Sequence, residues 1–177
     1  MLSEPATPSF AQAYRVLARM EESGVVRRGY FVTGLGGAQF AMPGAVDRLR
    51  QAAPTPMRLL AACDPANPYG AALEWPASKG HRPTRKAGAL VVLADGAPVC
   101  YLERGARTLV TFDSTNAEDL AQALALMGEA VDRSAIQPIS IDRVDGAAAL
   151  SEGVHTEAMA AAGFVMVPQG YKRRRHG

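Results

Sequence analysis

An α+β chain built in two unequal parts is what this sequence predicts, and three observations predict it. One helix-period segment leads directly into a short basic hairpin near the start. A run of strand-like segments then dominates until late helices appear. Between the two parts sits Ala52-Ala53-Pro54-Thr55-Pro56, a run with the composition of a linker. At 177 residues the chain is long enough for one domain plus a small appendage. The expected division is residues 1–51, a linker at 52–56, and a larger domain at 57–177.

Ser9 is a suitable N-cap for a helix from Phe10 to Glu22, where Phe10, Tyr14, Leu17 and Ala13, Val16, Met20 recur at helical spacing before Gly24 ends it. Val25 to Val32 and Ala38 to Met42 pair across the turn Thr33 to Gly37, and Pro43 opens a short helix through Val46, Leu49 and Arg50. A helix followed by a basic, aromatic hairpin is the pattern of a winged helix with its wing. Here only the helix and the wing are expected, without the two helices that normally precede them, which Met1 to Pro8 cannot replace. The helix is therefore expected to leave an apolar face to be covered by the following domain, by upstream sequence or by another copy of the chain.

Past the linker, strands are predicted at Met57 to Cys63, Gly88 to Leu93, Val99 to Glu103 and Arg107 to Phe112, with a tight turn at Ala94-Asp95-Gly96-Ala97. Asn116 caps an Ala- and Leu-rich helix to about Val131, Ile139 to Val144 is a strand, Thr156 to Ala162 a short helix, and Phe164 to Val167 a last strand before a basic tail. This order argues for a curled antiparallel sheet or a small β-barrel with two helices. The connection from Asp64 to Lys86 is long for a compact domain and holds the chain's single Trp.

The composition, 48% hydrophobic and 20% charged, excludes disordered and fibrous classes. A net charge of +2 is too mild to bind polyanions over the whole surface, so the placement of charge has to decide. No apolar run is long enough for a membrane span and no signal peptide opens the chain, so the cytosol is expected. Cys63 and Cys100 both read as buried thiols.

Three basic groups stand out. Arg27 and Arg28 point to opposite faces of the wing strand, Arg28 sharing its face with Tyr30. Lys79, His81, Arg82, Arg85 and Lys86 crowd the long loop together with Trp75, whose ring reads as a packing anchor ahead of a stacking platform. Lys172, Arg173, Arg174 and Arg175, with His176, form the tail. Each group can grip phosphates; each can equally be a solvated face. Asp64, in Asp64-Pro65-Ala66-Asn67-Pro68-Tyr69-Gly70, reads first as a turn residue and second as a water-activating carboxylate. The histidines His81, His155 and His176 lack ligand spacing, so neither a metal nor a cofactor is expected.

Several phrases in order carry a resemblance: Arg27-Arg28-Gly29-Tyr30-Phe31-Val32, Gly34-Leu35-Gly36-Gly37-Ala38-Gln39-Phe40-Ala41, Pro43-Gly44-Ala45-Val46-Asp47-Arg48-Leu49-Arg50, the Asp64 to Gly70 run, Trp75-Pro76, Arg82-Pro83, Arg85-Lys86-Ala87-Gly88 and Tyr101-Leu102-Glu103-Arg104-Gly105. From about Phe10 to Arg174 the chain resembles the extreme C-terminal part of the Lhr, or large helicase-related, superfamily 2 helicases. The resemblance implies a motor far upstream, a string of winged helices ending in a β-barrel, and an arrangement similar to the AlkZ/YcaQ-type DNA glycosylases. No Gly-x-x-x-x-Gly-Lys-Ser/Thr motif occurs here, so no ATP site or unwinding is expected of this segment. The glycosylases' catalytic Gln pair does not carry over to Gln39-Phe40-Ala41, where Gln39 reads as an exposed wing-strand residue. The resemblance implies a DNA-binding accessory module for DNA repair, with DNA and the upstream helicase domains as partners. The alternatives are a share in a base-excision site, through Asp64, Asp142 or Asp145, or a surface for subunit contact.

Overall fold

The computed structural model describes residues 9–51, 53, 55–153 and 155–175. They form two compact units, Met1–Ala53 and Pro54–Gly177.

In the first unit α1 (Phe10–Glu22) starts from a capping box: the Gln12 N–H donates to the Ser9 hydroxyl at 3.3 Å, and the Ser9 N–H donates to the Gln12 side-chain oxygen at 2.9 Å. β1 (Arg27–Gly29) and β2 (Gln39–Ala41) pair antiparallel with Arg28 opposite Phe40. α2 (Pro43–Arg50) follows with Pro43 in its first turn, where a missing N–H costs nothing. Both strands are shorter than the sequence predicts, because the backbone beyond Gly29 is bonded to a side chain instead of to a facing strand. No residue of α1 is buried. Phe10 and Val16 of α1 and Leu49 of α2 are exposed.

The second unit runs β3 (Arg58–Ala61), β4 (Leu90–Ala94), β5 (Ala97–Leu102), β6 (Thr108–Thr111), α3 (Ala117–Asp132), β7 (Ile139–Ile141), β8 (Arg143–Val144), β9 (Ala147–Ala148), α4 (His155–Ala161), β10 (Val165–Val167) and β11 (Gly170–Arg173). Six strands form one sheet in the order β3-β4-β5-β6-β8-β9, and three form another in the order β10-β11-β7. The β4–β5 turn has Asp95 and Gly96 both at positive φ, as a two-residue hairpin of this twist requires.

The sheets of the second unit differ from the sequence reading, which did not include the short strands β9 and β11. The predicted strand Ile139 to Val144 is two strands in two sheets, pivoting at Asp142, where the N–H groups of Asp142 and Arg143 both donate to the Arg107 carbonyl. The sheets also stay open and the larger one is mixed, so the α+β class is realised and the barrel is not. β8 runs parallel to β6 and only two residues long, and α3 and α4 fill the face around which a barrel would have closed.

The central sheet is buried on both faces. Val92, Cys100, Leu102 and Leu109 meet Leu120, Leu124 and Met127 of α3. Their neighbours Val91, Tyr101 and Val110, with Phe112 just beyond β6, point the opposite way onto a second core built around Trp75. Continuous apolar runs such as Leu90 to Leu93 follow from this two-sided burial.

Candidate nucleic-acid interface

On the wing, the Gln39 side chain holds the turn together. Its Oε1 accepts the N–H groups of Phe31 and Val32, both at 2.8 Å, while its Nε2 donates to the carbonyls of Val32 at 3.1 Å and Leu35 at 2.8 Å. Gln39 is thus a clamp on the turn and not the plain exposed strand residue expected. The available signal was the glycine-rich turn from Gly34 to Gly37, too long for a two-residue hairpin and so in need of a side chain to satisfy its backbone. Phe31 folds back until its ring covers Gly29, where a Cβ would sit 2.9 Å from the ring.

Tyr30, one residue past β1, is 93% exposed. Arg28 pairs with Glu21 at 2.7 Å and lies 5.2 Å from the Phe40 ring and 5.7 Å from the Tyr14 ring, so its guanidinium is held from three sides. Arg27 is exposed and has no acidic partner among the described residues.

In the second unit the long loop is folded down onto the sheet. Trp75 is only 7% exposed, stacked on Phe112 at 6.2 Å and Tyr69 at 5.7 Å, and edge-on to Tyr101 at 5.8 Å. Arg85 fastens the loop's two ends: its guanidinium donates to the carbonyls of Asn67 at 2.5 Å, Cys63 at 3.1 Å and Asp64 at 3.2 Å. Gly70 sits at positive φ with its Cα against both groups, and a Cβ there would meet the Trp75 indole at 2.5 Å and Arg85 at 3.0 Å. Ala77 and Lys79 continue the β6 edge through the bonds Asp113 N–H to Ala77 O and Lys79 N–H to Thr111 O.

The loop's remaining basic residues differ in what they face. His81 contacts Glu103 at 2.7 Å, Arg82 reaches Glu74 at a loose 3.8 Å, and Lys79 and Lys86 are exposed with no acid beside them among the described residues.

At the other end, the expected tail is partly strand. Lys172 and Arg173 belong to β11, paired with β7. Arg173 is buried beneath α3, bonded to the Asp132 carboxylate and to the Gly163 carbonyl, because the β-pleat turns alternate residues inward and Gly128 leaves room for the guanidinium. Arg174 and Arg175 are exposed, while His176, like Met1 to Pro8, Ala52 and Pro54, lies outside the described residues.

The three carboxylates considered for chemistry are each engaged. Asp64 accepts the Ala66 N–H at 2.8 Å in a turn of its own making. Asp142 pairs with Arg107. Asp145 accepts the Thr111 N–H at 2.6 Å and the Thr111 hydroxyl at 2.7 Å. Cys100 is buried as expected, and burial, with the Asp145 charge adding, pushes its thiol up to about 12, so it stays protonated and inert. Cys63 is exposed instead, since the chain turns just beyond β3 and carries it off the sheet. His155 donates from Nε2 to the Ala149 carbonyl at 2.9 Å and is buried against Tyr171. Among the described residues no group of His, Cys, Asp or Glu could hold a metal ion, and no helix is long and apolar enough to cross a membrane.

Residues 1–59 match the family model described as large helicase-related protein, winged-helix domain. The protein named Lhr helicase/probable uracil glycosylase from Mycolicibacterium smegmatis is 43% identical over 187 residues, a stretch that covers 97% of this chain and 12% of that protein. The Lhr helicase/uracil glycosylase of Escherichia coli is 40% identical over 121 residues, covering 63% of this chain and 8% of its own length. The chain therefore spans only a small part of these relatives, and that part includes the winged-helix element seen in the first unit. It belongs to the Lhr, or large helicase-related, family.

Proposed function

We propose that this chain is a nucleic-acid-binding accessory module of an Lhr-type ATP-dependent DNA helicase acting in DNA repair in the cytoplasm, and that it carries no motor of its own. Residues 1–51 act as the wing element and residues 57–177 as a separate α+β domain. Each grips phosphates independently and presents the strand to upstream domains. The observation that carries this reading is the set of exposed cations without an acidic partner among the described residues: Arg27 on the wing, Lys79 and Lys86 on the loop, Arg174 and Arg175 beyond β11. Arg82 joins them, because an exposed pair at 3.8 Å holds a cation weakly. Arg85 and Arg173, whose guanidiniums are taken up by the fold, do not. The exposed Phe10, Val16 and Leu49 suit docking by upstream Lhr domains, with a second copy of the chain as the other candidate.

The test is fluorescence anisotropy of single- and double-stranded oligonucleotides from ~50 to ~200 mM salt. Binding should be micromolar and fall linearly on a log–log salt plot, with a slope of about −0.9 per phosphate contact on duplex. Absence of binding at the lowest salt refutes the reading.

A second reading draws on the names of both relatives, which include uracil glycosylase. In that case the segment contributes to base excision, with Asp64, Asp142 or Asp145 as the carboxylate. The engagement of all three in turns and pairs weighs against it. Loss of uracil excision with retained binding in one Asp→Asn variant would favour it.

A further inference from the structure

We propose that the wing holds an unpaired nucleobase against the Tyr30 ring, so that the first unit prefers single strands and junctions to intact duplex. This rests on the nucleic-acid reading above and names the form of substrate for one of its contacts. Nearly every other ring of the unit is occupied: Tyr14 and Phe40 meet edge-on at 5.9 Å beneath Arg28, and Phe31 lies on Gly29. Tyr30 alone stands out from the wing, 93% exposed. A stacking ring is useful only if it is held still, and here the backbone immediately after it is fixed by the four hydrogen bonds of Gln39.

Beside the ring runs an open groove of about 610 Å³, walled by Glu21, Arg28, Gly29, Tyr30, Ala38 and Gln39. Its two charges neutralise each other, Arg28 on Glu21 at 2.7 Å. A phosphate entering would meet a carboxylate and a cation already paired, whereas an uncharged base finds a glycine wall, polar edges and an aromatic face. Arg27, directed to the opposite face of β1 by the strand's alternation, is the wing cation left for the backbone. Trp75, the other aromatic that lies among cations in the sequence, is packed into the sheet core and unavailable for stacking.

The full chain and its Tyr30→Ala variant should be compared by anisotropy on a short oligothymidylate, on a blunt duplex and on the same duplex with a single-stranded overhang. Because Tyr30 supports no packing, Tyr30→Ala should fold as the parent does, with an unchanged circular dichroism spectrum. Affinity for the single strand and the overhang should fall about 5- to 100-fold, with the blunt duplex changed less than about twofold and the salt slope unaltered. Tyr30→Trp should retain or raise single-strand affinity. Equal losses on single strand and duplex, a slope reduced by about one, or no loss at all would each overturn the proposal. If the parent chain binds but Tyr30→Ala is silent, this inference alone fails; if the parent binds nothing at ~50 mM salt, the nucleic-acid reading fails and this with it.

Discussion

The wing, Arg27 to Ala41, and the Asp64 to Lys86 loop look alike in sequence and are opposite in structure. Both are rich in Gly or Pro, both carry cations, and both contain aromatic residues at a bend. In the loop the large ring turns inward: Trp75 completes a core with Phe112, Tyr101 and Tyr69, and Arg85 spends its donors on backbone carbonyls. In the wing Tyr30 turns outward and the turn is closed by an uncharged amide, leaving Arg27 without an acid beside it among the described residues. What separates them is the apolar surface within reach. The loop crosses a sheet face that needs cover, and burying an indole there is favourable. The wing has two strands of three residues and offers no such face. A basic stretch with an aromatic is therefore not in itself an interface.

The comparison breaks most visibly at Trp75. Trp75→Ala should destabilise the second unit by about 3–5 kcal/mol, the usual cost of removing a buried aromatic, and Trp75→Phe by much less because the stack on Phe112 survives. Urea unfolding followed by circular dichroism checks this, and Trp75 supplies an internal control as the chain's single tryptophan. Its emission should be that of a buried indole and should not be quenched when an oligonucleotide is added. Strong quenching would return the loop to the role of a stacking surface.

Arg85→Ala should cost about 2 kcal/mol, since the partly buried carbonyls of Asn67, Tyr69 and Asp64 lose a charged donor together. At the same time it should leave the salt slope of nucleic-acid binding unchanged, whereas Lys86→Ala should reduce that slope by somewhat less than one with little effect on stability. Adjacent cations would then be separated by function: one fastens the loop and the other faces solvent. A reduced slope in Arg85→Ala would show that the guanidinium leaves its carbonyls for phosphate.

How much of this was legible follows from the range of the forces involved. Elements set by local chemistry came through: the helix from Phe10 to Glu22 with its Ser9 cap, the Asn116-capped helix, and the two-residue turn at Asp95-Gly96. The four strands β3 to β6 came through as well, because alternation and apolar runs mark them, whereas the short β9 and β11 did not. Features that depend on distant partners did not. The break at Asp142 depends on the Arg107 carbonyl, 35 residues away in sequence, and the burial of Arg173 depends on Asp132, 41 residues away. A run of four cations reads as a tail until Asp132 and Gly128 show that one of them is a core residue. Of the candidate site, the cation clusters were visible in the sequence; which members remain available was not, since that is decided by acids and carbonyls brought in by the fold.

The smallest effect sharpens the wing side. Gln39→Ala removes four hydrogen bonds, but the groups released lie close to water, so the cost to the unit should be only about 1 kcal/mol. Amide exchange at Phe31 and Val32 should accelerate about 5- to 10-fold, while exchange in β4 to β6 should not change. Gln39→Glu should be worse than Ala: a carboxylate keeps the two accepting bonds but sets a negative charge against the Val32 and Leu35 carbonyls that the amide now donates to. If the wing works because it is rigid, both variants should weaken single-strand binding even though Tyr30 and Arg27 are intact. Unchanged binding in the presence of faster exchange would mean that the ring needs no clamp and that exposure alone makes the wing what it is.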